Sequence, residues 1–158
     1  RPLGVRRQRG GGIGRVVDVV AREHVDPAPV EARQVLLGRP YELDGTVVAG
    51  DQRGGTLGYP TANLAVDPIL ACPRFGIYAG AALGHHAAVS VGKNPHYGGT
   101  ERRIEPYLLD YSGDLYGKRL VVELWALLRD EAVFASEEAL VDQIARDVEA
   151  TRVTVRPI

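Results

Sequence analysis

Between residues 41 and 128 the chain breaks into short runs rich in β-branched and aromatic residues, each bounded by Gly, Pro, Asn or Asp. Such punctuation restricts it to short strands. The runs are 41–48, 76–83, 87–92, 103–110 and 120–128. In the last of them Leu120, Val122, Leu124, Ala126 and Leu128 share one face, and Val121, Glu123, Trp125 and Leu127 the other. That pattern predicts a strand covered on most of both sides. Beyond it, Ser136 is placed to cap a helix, Glu137 and Glu138 occupy the positive first turn, and Leu140, Val141, Ile144, Ala145 and Val148 recur at helical spacing. Five or six short strands and one terminal helix predict a closed or nearly closed antiparallel barrel, because a small sheet of this kind must hide its edges.

Upstream, residues 1–14 are rich in Arg and Gly with few apolar side chains, and a disordered tail is expected there. Residues 15–37 read as a linker or the remnant of a preceding domain. They carry a short apolar element, a Pro-rich turn and a helix over about 30–37 ending at Gly38. Little apolar surface is expected from this segment, so the unit at 38–158 should fold without it. A net charge of −1 with 25% charged residues provides no basic field for nucleic acid. No apolar run approaches the roughly 20 residues of a membrane span, and no signal-peptide core is present. A cytoplasmic monomer acting on small molecules is the expectation. The single Cys72, in a Cys-Pro loop context, has no partner for an internal bridge and no positioned base. His85 and His86 are expected in an exposed turn after Gly84, pointing apart and sharing no metal.

One stretch carries chemistry. Gly50, Gly54, Gly55 and Gly58 make a loop in which backbone amides can approach an anion, and it runs directly into Tyr59-Pro60-Thr61-Ala62-Asn63. Pro60 stiffens the segment, so that the Thr61 hydroxyl and Asn63 carboxamide are offered at alternate positions. Two neutral oxygens suit Mg2+, which keeps waters and takes its remaining ligands from phosphates. The spacing alone is equally compatible with a hairpin turn before a Pro-started strand, and no Walker A lysine is present. Downstream, Glu105 sits in an otherwise apolar strand next to Pro106. A carboxylate there is costly unless something uses it. Its residues alone leave a surface-facing Glu105 and a catalytic base both open.

The run Leu57-Gly58-Tyr59-Pro60-Thr61-Ala62-Asn63 resembles the signature of the riboflavin kinase family. Further matches follow in order: Ser90-Val91-Gly92-Lys93-Asn94-Pro95, Glu105 in its strand, Asp114-Leu115-Tyr116-Gly117, Leu128-Arg129-Asp130-Glu131-Ala132-Val133-Phe134, and Asp147. Leu37-Gly38-Arg39-Pro40-Tyr41 is similar to the junction at which the kinase part of bacterial bifunctional riboflavin kinase/FAD synthetases begins; the H-x-G-H motif of the adenylyltransferase part is absent, so FAD synthesis is not expected of these residues. The resemblance implies a mainly β fold, a six-stranded antiparallel Greek-key barrel with a C-terminal α-helix. It also implies transfer of the γ-phosphoryl of Mg-ATP to the 5′-hydroxyl of riboflavin, giving FMN and ADP. On it, Glu105 is the catalytic carboxylate, and Thr61 and Asn63 are the magnesium ligands. Gly50, Arg53, Gly54, Gly55, Gly58 and Pro60 then join Thr61 and Asn63 around the nucleotide phosphates. Leu115, Tyr116, Gly117, Arg129 and Phe134 line the flavin. Members of the family often carry Lys or Arg where this chain has Gly55, and Arg53 is the nearest replacement. The alternative is a catalytically impaired flavin- or FMN-binding module.

Overall fold

Six antiparallel strands form a nearly closed barrel, with one helix before it and one after, in a computed structural model that describes residues 29–67, 73–93 and 102–158. The expectations for the Arg/Gly-rich tail, for the apolar element and most of the Pro-rich turn that precede the helix, for Cys72 and for Asn94-Pro95 lie outside those residues. In chain order the elements are α1 (Val30–Leu37), β1 (Tyr41–Val48), α2 (Arg53–Thr56), β2 (Asn63–Val66), β3 (Gly76–Ala82), β4 (His85–Lys93), β5 (Arg102–Leu108), β6 (Arg119–Arg129) and α3 (Glu137–Val153). The sheet order is β2-β1-β6-β3-β4-β5, so the chain crosses β1 and β6 to reach β3, and later crosses back over β4 and β3 to insert β6. Alternate residues of each strand fill the interior. Leu43, Val47, Tyr78, Val89, Val91, Ile104, Leu120, Val122 and Leu124 form one core. The Tyr78 hydroxyl donates to the Arg74 carbonyl at 2.7 Å, and burial pushes its pKa up to about 12.

The alternation expected along β6 does not persist to its end. Against β3, Gly80 pairs with Leu124, Ala79 with Ala126, Tyr78 with Leu127 and Ile77 with Arg129, which leaves Trp125 and Leu128 as extra residues. Each extra residue exchanges inside for outside. Leu127 therefore packs against the core in place of Ala126 or Leu128, and Trp125 is buried on the face that α3 and the C-terminal residues cover.

Those bulges also dock α1. The helix lies where the periodicity predicts and ends at Gly38 in the left-handed conformation. It is not independent of the barrel, however. Val30 is 1% exposed within the core cluster, and Gln34 Nε2 donates to the carbonyls of Leu124 (2.9 Å) and Trp125 (2.8 Å) at the irregularity in β6. The apolar surface that this helix adds is small, a single inward valine while Val35 and Leu36 stay exposed, and polar contacts from Glu31, Arg33 and Gln34 complete its attachment to the barrel. His85 and His86 also depart from expectation. They open β4 rather than occupy an exposed turn, and they do point apart. His85 Nδ1 lies 3.1 Å from the Leu109 carbonyl, and His86 Nε2 lies 3.2 Å from the Thr154 carbonyl.

Helix α3 starts as predicted, with Ser136 Oγ accepting from the Ala139 amide at 3.1 Å, and it lies across β3, β4 and β6. The chain beyond it is pinned by Arg156, which donates to both carboxylate oxygens of Glu123 (2.8 and 2.7 Å), while the Trp125 indole donates to the same carboxylate at 2.7 Å.

Two outcomes are expected. A chain of residues 38–158 should melt about 5–10 °C below one of residues 29–158, since losing a buried valine and two hydrogen bonds is worth roughly 2 kcal/mol. Thermal unfolding followed by circular dichroism checks this. The second concerns acid. The hydrogen bond from Arg156 holds the Glu123 carboxyl below its ordinary 4.5, against the opposing effect of burial and with help from Trp125. A carboxyl lowered in the folded state stabilises it above the ordinary value, and that contribution disappears as pH falls through the lowered one. Fluorescence of Trp125, the single tryptophan, should therefore change with a midpoint below pH 4.5, and Arg156→Gln should move the midpoint upward.

Candidate functional site

The glycine loop begins where β1 ends. Val48 pairs with Asn63, so the 14 residues from Ala49 to Ala62 form an excursion that returns to its own starting point. Part of it is ordered as α2, a one-turn helix entered through Gln52 in the left-handed conformation, where the sequence reading expected only loop. Thr56 Oγ1 donates back to the Arg53 carbonyl at 2.7 Å, and the Tyr59 amide donates to the Gly54 carbonyl at 2.8 Å. Arg53 and Gly55 face solvent.

Two of the glycines are required by close approach. A Cβ on Gly50 would overlap the carboxamide of Asn63; one on Gly54 would overlap the Tyr59 carbonyl and lie 3.2 Å from Thr61 Oγ1. The polar groups of Thr61 and Asn63 therefore lie directly against the backbone of the loop. Their neutral oxygens fit the modest protein contribution that Mg2+ requires beside phosphate. Among the described residues no cluster of three or more His, Cys, Asp or Glu side chains is arranged to hold a metal.

From this cradle the segment is stitched to β5. The Ala62 amide donates to the Pro106 carbonyl at 3.0 Å, and the Tyr59 and Tyr107 rings meet edge-on at 5.5 Å. Glu105 immediately precedes those contacts on the outward face of β5, with its side chain 19% exposed. Its Oε1 accepts from Arg103 Nη2 at 2.7 Å, and Arg103 Nη1 reaches Asp51 of the loop at 3.4 Å. Across the ladder, Ser90 pairs with Glu105 and Gly92 with Arg103. The space that a side chain on Gly92 would fill holds the carboxylate of Glu131.

The remaining candidates fall into two groups at opposite ends of β6. Leu115, Tyr116 and Gly117 form the turn before it: Asp114 Oδ1 accepts from the Tyr116 amide at 2.9 Å, and the Gly117 amide donates to the Val47 carbonyl at 2.9 Å. This turn touches the end of β1 from which the glycine loop departs. Leu115 is partly buried against the core and Tyr116 is 54% exposed. Arg129 ends β6 and Phe134 follows it, on the order of 30 Å farther along an 11-residue strand. The structure does not bring Leu115 and Tyr116 into one slot with Phe134. Arg129 donates to both oxygens of Asp147 (2.8–3.1 Å) and to the Asp130 carbonyl, with Gln143 also donating to Asp147. Its guanidinium lies 5.5 Å from the Phe134 ring centre. Asp147, 18 residues on, is the buried anchor that fixes this end. Arg103, Asp51 and Glu131 were assigned no role from sequence. The one signal for Arg103 was its position two residues before Glu105, which puts both on one face of a strand.

The fold and the site define a small antiparallel barrel that sets a glycine-rich loop beside neutral oxygens and a largely covered carboxylate. A family model described as Flavokinase, riboflavin kinase, matches residues 37–155. The bifunctional riboflavin kinase/FMN adenylyltransferase of Escherichia coli K12 is 35% identical over 142 residues, covering 87% of this chain and 45% of the relative. A crystal structure of riboflavin kinase from Trypanosoma brucei superposes with a TM-score of 0.57 at 28% identity, over 72% of this chain and 78% of that one. A crystal structure described as a macrolide-efflux protein from Streptococcus pneumoniae superposes with a TM-score of 0.74 at 38% identity, over 82% of this chain and 44% of that one. The chain belongs to the riboflavin kinase family. It spans under half the length of the bifunctional relative.

The apposition of loop and polar side chains has a direct test. Gly54→Ala should lower the unfolding free energy by roughly 1–3 kcal/mol, since a backbone carbonyl must yield. Gly50→Ala should cost less, because only the Asn63 carboxamide has to swing aside. Denaturant unfolding of the two variants checks the order.

Proposed function

We propose that this chain transfers the γ-phosphoryl of Mg-ATP to the 5′-hydroxyl of riboflavin, giving FMN and ADP. The observation that carries this reading is the stitching of the Thr61–Asn63 segment, packed on Gly50 and Gly54, to β5 beside Glu105. A phosphate-binding loop and a proton acceptor thereby share one edge of the barrel. In the reaction the riboflavin hydroxyl oxygen bonds to the γ-phosphorus, the bond from that phosphorus to the β–γ bridging oxygen breaks, and ADP leaves with that oxygen. Glu105 orients the hydroxyl and takes its proton; because the transition state is loose, it accepts that proton late. Backbone amides of the loop around Gly50, Gly54, Gly55 and Gly58 hold the phosphates, with Pro60 fixing the segment that follows. Arg53 stands at the loop's exposed rim. Mg2+ fits the neutral oxygens of Thr61 and Asn63, and when bound it would neutralise charge on the phosphate oxygens.

The separation along β6 divides the substrates between two sides of Glu105. Leu115, Tyr116 and Gly117, beside the end of β1, belong with the nucleotide on this reading rather than with the flavin. Arg129 and Phe134 stay with the flavin, on the side where Glu131 folds over Gly92 toward the strand that carries Glu105. A planar apolar ring system fits an aromatic wall with fixed polar groups at its edge.

Incubation of the protein with riboflavin and Mg-ATP, followed by separation of products, should yield FMN. Glu105→Gln should retain riboflavin affinity while kcat falls roughly 10²- to 10⁴-fold, as for a lost general base. Asn63→Ala and Thr61→Ala should each lower FMN formation at least about tenfold. Tight flavin binding without FMN formation by the unaltered protein would select the flavin-binding module instead.

A further inference from the structure

Arg103 is the described cation that reaches both the glycine loop and Glu105. Its two terminal nitrogens go to different segments, Nη2 to Glu105 Oε1 at 2.7 Å and Nη1 to Asp51 Oδ2 at 3.4 Å. Arg103 and Glu105 are largely covered, with side chains 25% and 19% exposed, whereas Asp51 is 60% exposed. A guanidinium presents its donors as a rigid planar fork, so one side chain can hold two carboxylates at a set angle; an ammonium cannot. The bond from Arg103 to Glu105 engages Oε1. Arg103 thus occupies one oxygen of the carboxylate and leaves the other for an incoming hydroxyl. On the neighbouring strand Gly92 pairs with Arg103, and the Glu131 carboxylate, which fills the space a side chain on Gly92 would take, brings a third negative charge to this part of the strand pair.

We propose that Arg103 is a positioning residue for phosphoryl transfer, locking the Glu105 rotamer through one nitrogen and drawing the glycine loop onto the same strand through the other. The inference rests on the function proposed above. The two arms are unequal. The Glu105 arm is short and mostly covered, so it sets the geometry of the acceptor; the Asp51 arm is longer and exposed, hence screened by solvent and salt, and it sets how often the loop is closed. Misplacing an acceptor by about 1 Å costs on the order of 10²-fold, which is the scale the first arm acts on.

Kinetics of Arg103→Met, Arg103→Lys, Asp51→Asn and Glu105→Gln, singly and combined, separate these roles. Arg103→Met should lower kcat about tenfold or more and raise KM for Mg-ATP severalfold. Arg103→Lys should restore KM only in part and kcat hardly at all. Asp51→Asn should act mainly on KM for Mg-ATP. In the Glu105→Gln background Arg103→Met should have little further effect on kcat, because its effect on kcat runs through that carboxylate. Full rescue by Lys, or an equal loss of kcat with and without Glu105, would overturn the proposal. Amide hydrogen exchange without substrate is the arm that does not depend on activity. Residues 50–58 should exchange faster in Arg103→Met and in Asp51→Asn than in the unaltered protein, and unchanged exchange in both would overturn the tie to the loop. If the unaltered protein makes no FMN, the proposed function fails, while exchange still decides whether Arg103 holds the loop.

Discussion

A six-stranded antiparallel sheet has two edges, and here the constraint that organises everything else is the closure of one edge on the other. Strands β2 and β5 end the sheet order, and the Ala62 amide donates to the Pro106 carbonyl across the gap. Open edges invite pairing with other chains, so closure removes a liability as well as adding a hydrogen bond. Pro106 suits the seam because it offers an acceptor and lacks a donor that would otherwise need a partner. The seam is also where the functional groups meet. Thr61 and Asn63 flank the closing residue on one side and Glu105 precedes the closing residue on the other, so the contact that completes the barrel also sets the spacing of the site.

The second organising feature is the irregular pairing of β6. A regular strand of that length would keep one face inward; the extra residues at Trp125 and Leu128 change which side chains point in, and the first sits where the Leu124 and Trp125 carbonyls meet α1. Gln34 takes both of those carbonyls, which attaches α1. Beyond the second irregularity Arg129, still paired with Ile77, points its side chain at α3, where Asp147 receives it in a largely covered ion pair. Such a pair contributes little net stability against an apolar alternative, but losing one partner is expensive, so it fixes the approach of helix to strand more than it strengthens the fold. The segment that carries Phe134 is held by that pair, at the opposite end of β6 from the turn of Leu115 to Gly117.

Much of this was legible in the sequence. The period-two runs, their Gly and Asp boundaries, the Ser136 cap and the Gly38 stop each report a local preference, and the structure places β1, β3 to β6, α1 and α3 within a few residues of the expected positions. Strand β2 was read only as the extended end of the Thr61–Asn63 segment, because four residues carry too little pattern to stand alone. What did not show in the sequence is non-local. Val30 looks like any valine at the start of a solvent-facing helix until the bulge in β6 supplies a partner for Gln34. His85 and His86 look like turn residues until the carbonyls of Leu109 and Thr154 arrive from 24 and 68 positions away. The spread of the flavin candidates along β6 is equally invisible in one dimension, since motifs in sequence order say nothing about which end of a strand they occupy.

Electrostatics close the account of the site. Among the described residues, the carboxylates of Asp51, Glu105 and Glu131 stand against the guanidinium of Arg103, which is itself shared by two of them, while Arg53 faces solvent on α2. On the proposed function, a polyphosphate entering such a place meets local negative charge rather than a basic field. Its binding must then draw on oriented backbone amides of the loop and on the cation that travels with it, both of which act only at close range. That explains why Gly50 and Gly54 have no room for a Cβ. Any side chain there would push the amides and the Thr61 and Asn63 oxygens apart, and it would add nothing that substitutes for their charge.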